Sequence, residues 1–286
     1  MNYILIILAD ILLSFEFAFS KKYQSIETNS LAAGLRFNTV SGLFTAIIFF
    51  ALSGFKLDFS AFSVLFALAM SLCAATYSIL GFSVLKKGNM AIYSVFLMSG
   101  GMILPYIFGI LFLNEPLTPL RIIGIIIILF AIILSNKAKG QLKISFLLLC
   151  MVIFLLNGCV SIISKCHQIN TEFYTVNSIT FVMYTGVFKF IFSLIALAFC
   201  KGGQKVSFVS KKTPFIIAAA AFISGCSYML QLIGAKDIPA TVLYPMITGG
   251  SIIFSALSDK IFFKEKLNLY QLISIALCFV GTLLFL

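Results

Sequence analysis

Ten stretches of mostly apolar residues follow one another with little between them. Each is close to the length, about 20 residues, that a helix needs to cross the hydrocarbon of a bilayer. They fall near 3–20, 31–53, 60–83, 91–113, 119–135, 143–164, 176–199, 213–234, 240–263 and 267–286. They are too long and too continuously apolar for the alternating strands of a membrane barrel. The sequence therefore predicts an all-α integral membrane protein with ten transmembrane helices and no soluble domain. Composition agrees: 61% of the 286 residues are hydrophobic and 10% charged, where a soluble domain carries about a quarter charged. The first stretch lacks a basic lead-in and nine more follow, so it reads as a retained helix rather than a cleaved signal.

Other classes are excluded on similar grounds. The seven cysteines are scattered without a C-x-x-C pair, so neither a disulfide framework nor a metal site is indicated, and no cofactor is expected. The net charge of +11 is distributed through loops between spans, which points to a lipid bilayer and not to nucleic acid. No nucleotide-binding loop is present. The single histidine, His167, reads as a loop residue beside Lys165, with no nucleophile–base pair near it, so the chain is not expected to be an enzyme.

The two halves of the chain echo each other. Residues 91–124, AIYSVFLMSGGMILPYIFGILFLNEPLTPLRIIG, lie over 240–274, with Gly100-Gly101 on Gly249-Gly250 at an offset of 149 and Glu115 on Glu265 at an offset of 150. SGLF (41–44) lies over TGVF (185–188), and Ser20-Lys21 over Ser164-Lys165, both at an offset of 144. The chain thus reads as two five-helix units, 1–140 and 141–286. Five is odd, so the copies sit inverted in the membrane, the arrangement in which many transporters hold substrate near the midplane between halves. The Glu–Pro interruption after 112 is then the tight turn between helices 4 and 5. Glu115 and Glu265 read as turn and helix-end residues without a chemical role.

Loop charges behave as inversion requires. Loops 1–2, 3–4, 5–6, 7–8 and 9–10 together hold 14 Lys and Arg, whereas loops 2–3, 4–5, 6–7 and 8–9 hold 4: Lys56, Arg121, Lys165 and Lys236. The positive-inside rule then places both termini outside.

The stretch LKKGNMAIYSVFLMSGGMILPYIFGILFLNEPLTPLRIIG (85–124), with LRF at 35–37, ten spans and the five-plus-five repeat, resembles the EamA-type branch of the drug/metabolite transporter superfamily. The resemblance covers the whole chain. Leu13-Ser14 stands where such proteins carry Trp-Gly, although Asn157-Gly158 occupies the matching place in helix 6. Asn114 and Lys264 stand where a Gly usually precedes the turn Glu. The resemblance implies a cavity lined by helices 4 and 9, and both termini inside, against the loop charges.

Ionisable residues inside a span cost about 2.5–3.5 kcal/mol each near the helix centre and tend to face a wet interior. Four stand out: Asp10, Glu16, Arg36 and Lys189. One of the acids is expected to titrate or meet a cationic substrate group, though Glu16 also reads as interfacial, paired with Lys21 or Lys22. Arg36 and Lys189 would neutralise those acids or meet a carboxylate, and Arg36 reads equally as a headgroup anchor. Tyr77, Tyr93, Tyr228, Tyr244, Asn157 and Gln231 supply hydroxyls and amides at comparable depth, each also explicable as packing. Gly100, Gly101, Gly249 and Gly250 read first as close helix packing that also lines the cavity. Pro105 and Pro245 are placed to bend helices 4 and 9.

Both signs of charge inside the membrane suit a zwitterion or modestly charged metabolite. The leading expectation is a multi-pass cell-membrane secondary transporter. It would export small polar organic solutes such as amino acids, by alternating access, with Asp10 or Glu16 taking a coupling proton. A lipid flippase, a non-transporting membrane subunit and drug or cation efflux are the alternatives. Helices 5 and 10, almost purely apolar, face lipid or another protomer in a monomer or homodimer.

Overall fold

Each apolar stretch forms one helix in the computed structural model. They are α1 (Asn2–Ile26), α2 (Leu31–Leu52), α3 (Ala61–Lys87), α4 (Met90–Phe112), α5 (Pro119–Ser135), α6 (Ile144–Ile169), α7 (Ser178–Phe199), α8 (Thr213–Asp237), α9 (Ala240–Phe263) and α10 (Leu269–Leu283). The structure describes residues 2–27, 30–87, 90–135, 144–200, 208, 210–264 and 269–285, apart from the side chains at 2, 82–93, 135 and 259. Glu265, the expected echo of Glu115, lies outside the described residues.

Among the described residues eight helices are long and apolar enough to cross a membrane, which makes this a multi-pass integral membrane protein. The other two are shorter among the described residues, and α5 coincides with its expected window, 119–135. α5 has 17 residues and α10 has 15, both apolar. They pack against each other, with Gly124 and Gly281 at the crossing.

Helix starts follow local chemistry. Ser30 and Asn177, both extended, accept from the amides of Ala33 and Thr180, each satisfying one of the free donors at a helix N-terminus. Helix ends run past the apolar windows. Lys21 and Lys22 fall within α1, Lys236 within the last turn of α8, and Lys165 and His167 within α6, not in a loop. Hydropathy ends a span at the first cation. A helix need not end there, because its last carbonyls attract positive charge.

The packing partners form a regular set. α2 crosses α7, α4 crosses α9 and α5 crosses α10, while α1 packs on α8 as α6 packs on α3. Likewise α4 packs on α6 as α9 packs on α1. The α2–α7 crossing uses the two glycines of SGLF and TGVF. A Cβ on Gly42 would lie 2.6 Å from Phe190 N, and one on Gly186 2.7 Å from Ala46 N, so neither position admits a side chain without parting the helices. One apolar core joins α4, α5, α9 and α10 around Met102, Ile128 and Leu243. A second joins α2, α3, α7 and α8 around Phe49, Phe181 and Leu232. The outer surface presents Leu111, Ile126, Phe199 and Phe215, as a lipid-facing surface does.

Candidate functional site

A cavity of about 550 Å3 opens between the two cores, within the range of small-molecule sites. Its walls come from α1, α2, α3, α4, α6, α7, α8 and α9; among the described residues α5 and α10 contribute nothing. Leu13, Met70, Val182, Leu232 and Leu243 make the apolar part, while Thr45, Ser71, Ser161, Thr248 and Gln231 supply polar groups.

Two charged groups enter this cavity, Glu16 from α1 and Lys189 from α7, and each is the opposite charge that the other senses. Both are additionally held in place. Ser20 Oγ donates to Glu16 Oε1 at 3.1 Å, one helical turn away. Lys189 Nζ donates to Ser41 Oγ at 3.2 Å, across the α2–α7 crossing. Within a low-dielectric interior, each charge makes the other tolerable. Glu16 therefore lines the cavity.

The uncharged polar residues are mostly committed to holding helices together. Asn157 Nδ2 donates to Leu97 O at 2.7 Å, joining α6 to α4. Tyr244 Oη donates to Ser161 O at 2.5 Å, joining α9 to α6. Tyr228 Oη lies 2.6 Å from Ser164 Oγ, and both approach Met70 Sδ. All three line the cavity, as do Tyr77 and Gly101. Their packing role and their place in the wall coexist.

The remaining expected residues lie elsewhere. Asp10 is only 2% exposed, pressed between α1 and α9, and absent from the lining. Its Oδ1 has no hydrogen-bond partner among the described residues, and a Cβ on Gly250 would lie 2.1 Å from Oδ2. Arg36 sits near Tyr23 and Glu27 where α1 ends and α2 begins, away from the cavity. Gly100 packs on the Phe154 carbonyl and Gly249 on Thr282. Of the four glycines only Gly101 reaches the wall. Tyr93 lies in α4, with its side chain outside those described. Among the described residues no group of three His, Cys, Asp or Glu is placed to hold a metal.

Sequence reasoning missed how the ends of the helices are held. His167 is buried in α6, stacks on Phe181 at 3.9 Å between ring centroids, and lies 2.8 Å from Ser63 Oγ. Gln168 Nε2 donates to Nδ1 at 2.9 Å, so Nε2 carries the proton that reaches Ser63. Lys165 is likewise buried, and among the described residues it donates to carbonyl oxygens. The sign that could have flagged it was the alignment of Ser164-Lys165 with Ser20-Lys21. With Lys165 inside the bundle, the less basic face loses one of its four loop charges.

The sequence pattern of the EamA-like transporter family matches residues 142–286, half of the chain. The chain belongs to the EamA-like transporter family. It is accordingly a membrane transporter and not an enzyme. Twenty-nine solved chains match the fold. One of them, described only as a crystal structure of a protein, superposes with a TM-score of 0.75 at 14% identity, over 99% of this chain and 95% of its own. At that identity the likeness extends to the fold alone. No curated protein matches.

Proposed function

We propose that this EamA-type transporter is a secondary exporter of small polar organic solutes bearing both charges, amino acids or related metabolites. The observation that carries the reading is the presence of Glu16 and Lys189 in one cavity of about 550 Å3. A zwitterion meets both: its ammonium replaces Lys189 beside Glu16, and its carboxylate replaces Glu16 beside Lys189. An apolar cation would leave Lys189 facing like charge. The two halves, 1–140 and 141–286, act as inverted repeats that rock about this site. The mutual packing of α2 with α7, α4 with α9 and α5 with α10 supports that arrangement.

Proton coupling belongs to the same proposal, through Asp10 or Glu16. Glu16 already has Lys189 for a counter-charge, whereas Asp10 packs in the α1–α9 contact with an oxygen that bonds to nothing described.

The test is uptake by purified protein in liposomes, offered a mixed amino-acid and metabolite pool with and without a pH gradient and read by mass spectrometry. Selective accumulation of zwitterions that is lost in Lys189→Met supports the proposal. Accumulation indifferent to the gradient, or a gradient response kept by both Asp10→Asn and Glu16→Gln, removes the proton. No solute flux from folded protein sinks the reading and favours a flippase or an accessory subunit.

A further inference from the structure

The turn between α8 and α9 is gripped from two directions by charges, one half-buried and one buried. Glu115, in the α4–α5 turn, accepts from the amides of Ala240 at 2.6 Å and Thr241 at 2.7 Å, the first residues of α9. Lys165, from α6, donates to the carbonyls of Ala235 and Ile238, both at 2.7 Å, at the end of α8. Arg121 adds a contact from its guanidinium to Thr241 Oγ1 at 3.3 Å. Each charge meets the helix end of opposite polarity: the carboxylate takes the free amides of an N-terminus, the ammonium the free carbonyls of a C-terminus. Lys165 is 4% exposed, and Ile238, Ala240 and Thr241 are buried with it.

This assembly borders the cavity directly. Ser164, next to Lys165, lies in the cavity wall, and so do Ala235, Leu243 and Tyr244, which flank the gripped turn. The turn and its two charges are therefore the layer between the cavity and that end of the bundle.

We propose that Glu115 and Lys165 are a gate clamp: they lock the α8–α9 turn over one end of the cavity and must release it before solute can pass by that end. The chemistry suits a seal that breaks and reforms. Parting two apolar surfaces exposes them to water at full penalty. A carboxylate and an ammonium withdrawn from helix ends are instead hydrated, as are the amides and carbonyls they leave, so the open and closed arrangements stay close in free energy.

The inference rests on the cavity being the transport route, but its test needs no substrate. The full chain carrying Ser161→Cys in the cavity wall is placed in native and inverted vesicles and treated with a membrane-impermeant charged thiol reagent. Labelling is read site by site by mass spectrometry, which separates residue 161 from the native cysteines. Lys236→Cys, at an exposed site beside the turn, marks which vesicle face bears it. Glu115→Gln and Lys165→Met should each speed labelling at 161 from that face by about tenfold or more, the change expected from losing at least one charge-assisted hydrogen bond. Lys165→Arg, which keeps the charge, should stay nearer the parent. Labelling from that face unchanged in Glu115→Gln and Lys165→Met, with helix content intact, overturns the clamp. If Lys165→Met does not fold, Glu115→Gln decides alone. A silent uptake assay would sink the transport proposal and leave the labelling result standing.

Discussion

Asn114 and Lys264 are the two residues that depart from the family resemblance just ahead of the turn glutamates, and both adopt the same left-handed backbone, φ 53°. That is a conformation glycine takes freely and a residue with a Cβ does not. A left-handed residue with a Cβ is disfavoured by about 1–2 kcal/mol, less for Asn. Lys264→Gly should therefore raise stability by about 1 kcal/mol and Asn114→Gly by less, read as thermal midpoints in one detergent. A loss of stability in Lys264→Gly would show that the Lys side chain does more than the backbone argument allows. The paired glycines make a second contrast. Gly250→Ala meets the end of the Asp10 side chain, whereas Gly100→Ala meets the Phe154 backbone carbonyl at 2.2 Å. Both should destabilise, by about 1–3 kcal/mol as overpacking does. Asp10→Ala should rescue the first, and no neighbouring truncation should rescue the second. Failure of that rescue would place the strain elsewhere than on the carboxylate.

At the scale of elements, what the sequence made legible was the existence of each helix, because a run of about 20 apolar residues has few other uses. The ends were not legible. Lys165 and His167 extend α6 because their partners, carbonyls of α8 and Ser63 of α3, lie about 70 and 104 residues away in the chain, and hydropathy registers only the residue itself. The site was legible in the same uneven way. Glu16 and Lys189 stood out because a charge in a span needs a reason, yet Asp10 stood out equally and lies outside the cavity. Only packing distinguishes them. The loop between α6 and α7 is pinned by similar distant contacts, with Tyr174 donating to Asp58 Oδ2 at 2.6 Å and Val176 N to Ser63 Oγ at 3.0 Å. The hydrogen bond to Asp58 holds the Tyr174 phenol above its ordinary value of 10.0. The bonded form is the protonated one. Its contribution is present below the unfolded value and is lost as pH rises through the higher folded value. Protection of this loop from an alkaline-stable protease should persist through pH 9 and fall only above about pH 10. In Tyr174→Phe that alkaline step should vanish; its persistence would assign it to another group.

For the whole molecule, the deciding question is whether Glu16 and Lys189 hold each other or wait for a substrate. The two roles predict different behaviour when both are neutralised. Removing one partner leaves the other as a buried charge without compensation, so Glu16→Gln and Lys189→Met alone should each destabilise the fold. Removing both relieves that, and the double variant should be more stable than the sum of the singles by about 0.5–3 kcal/mol. Transport should not follow stability. A zwitterion needs a cation for its carboxylate and an anion for its ammonium, so the double variant should regain a stable bundle and still carry nothing. Recovery of flux along with stability would mean that the pair is structural and that the solute is recognised by the hydroxyl and amide groups of the wall. No coupling between the two substitutions would mean that they do not sense each other across the cavity, and the charge argument for the substrate would go with it. Stability restored without transport is the outcome that leaves the two charges as the site.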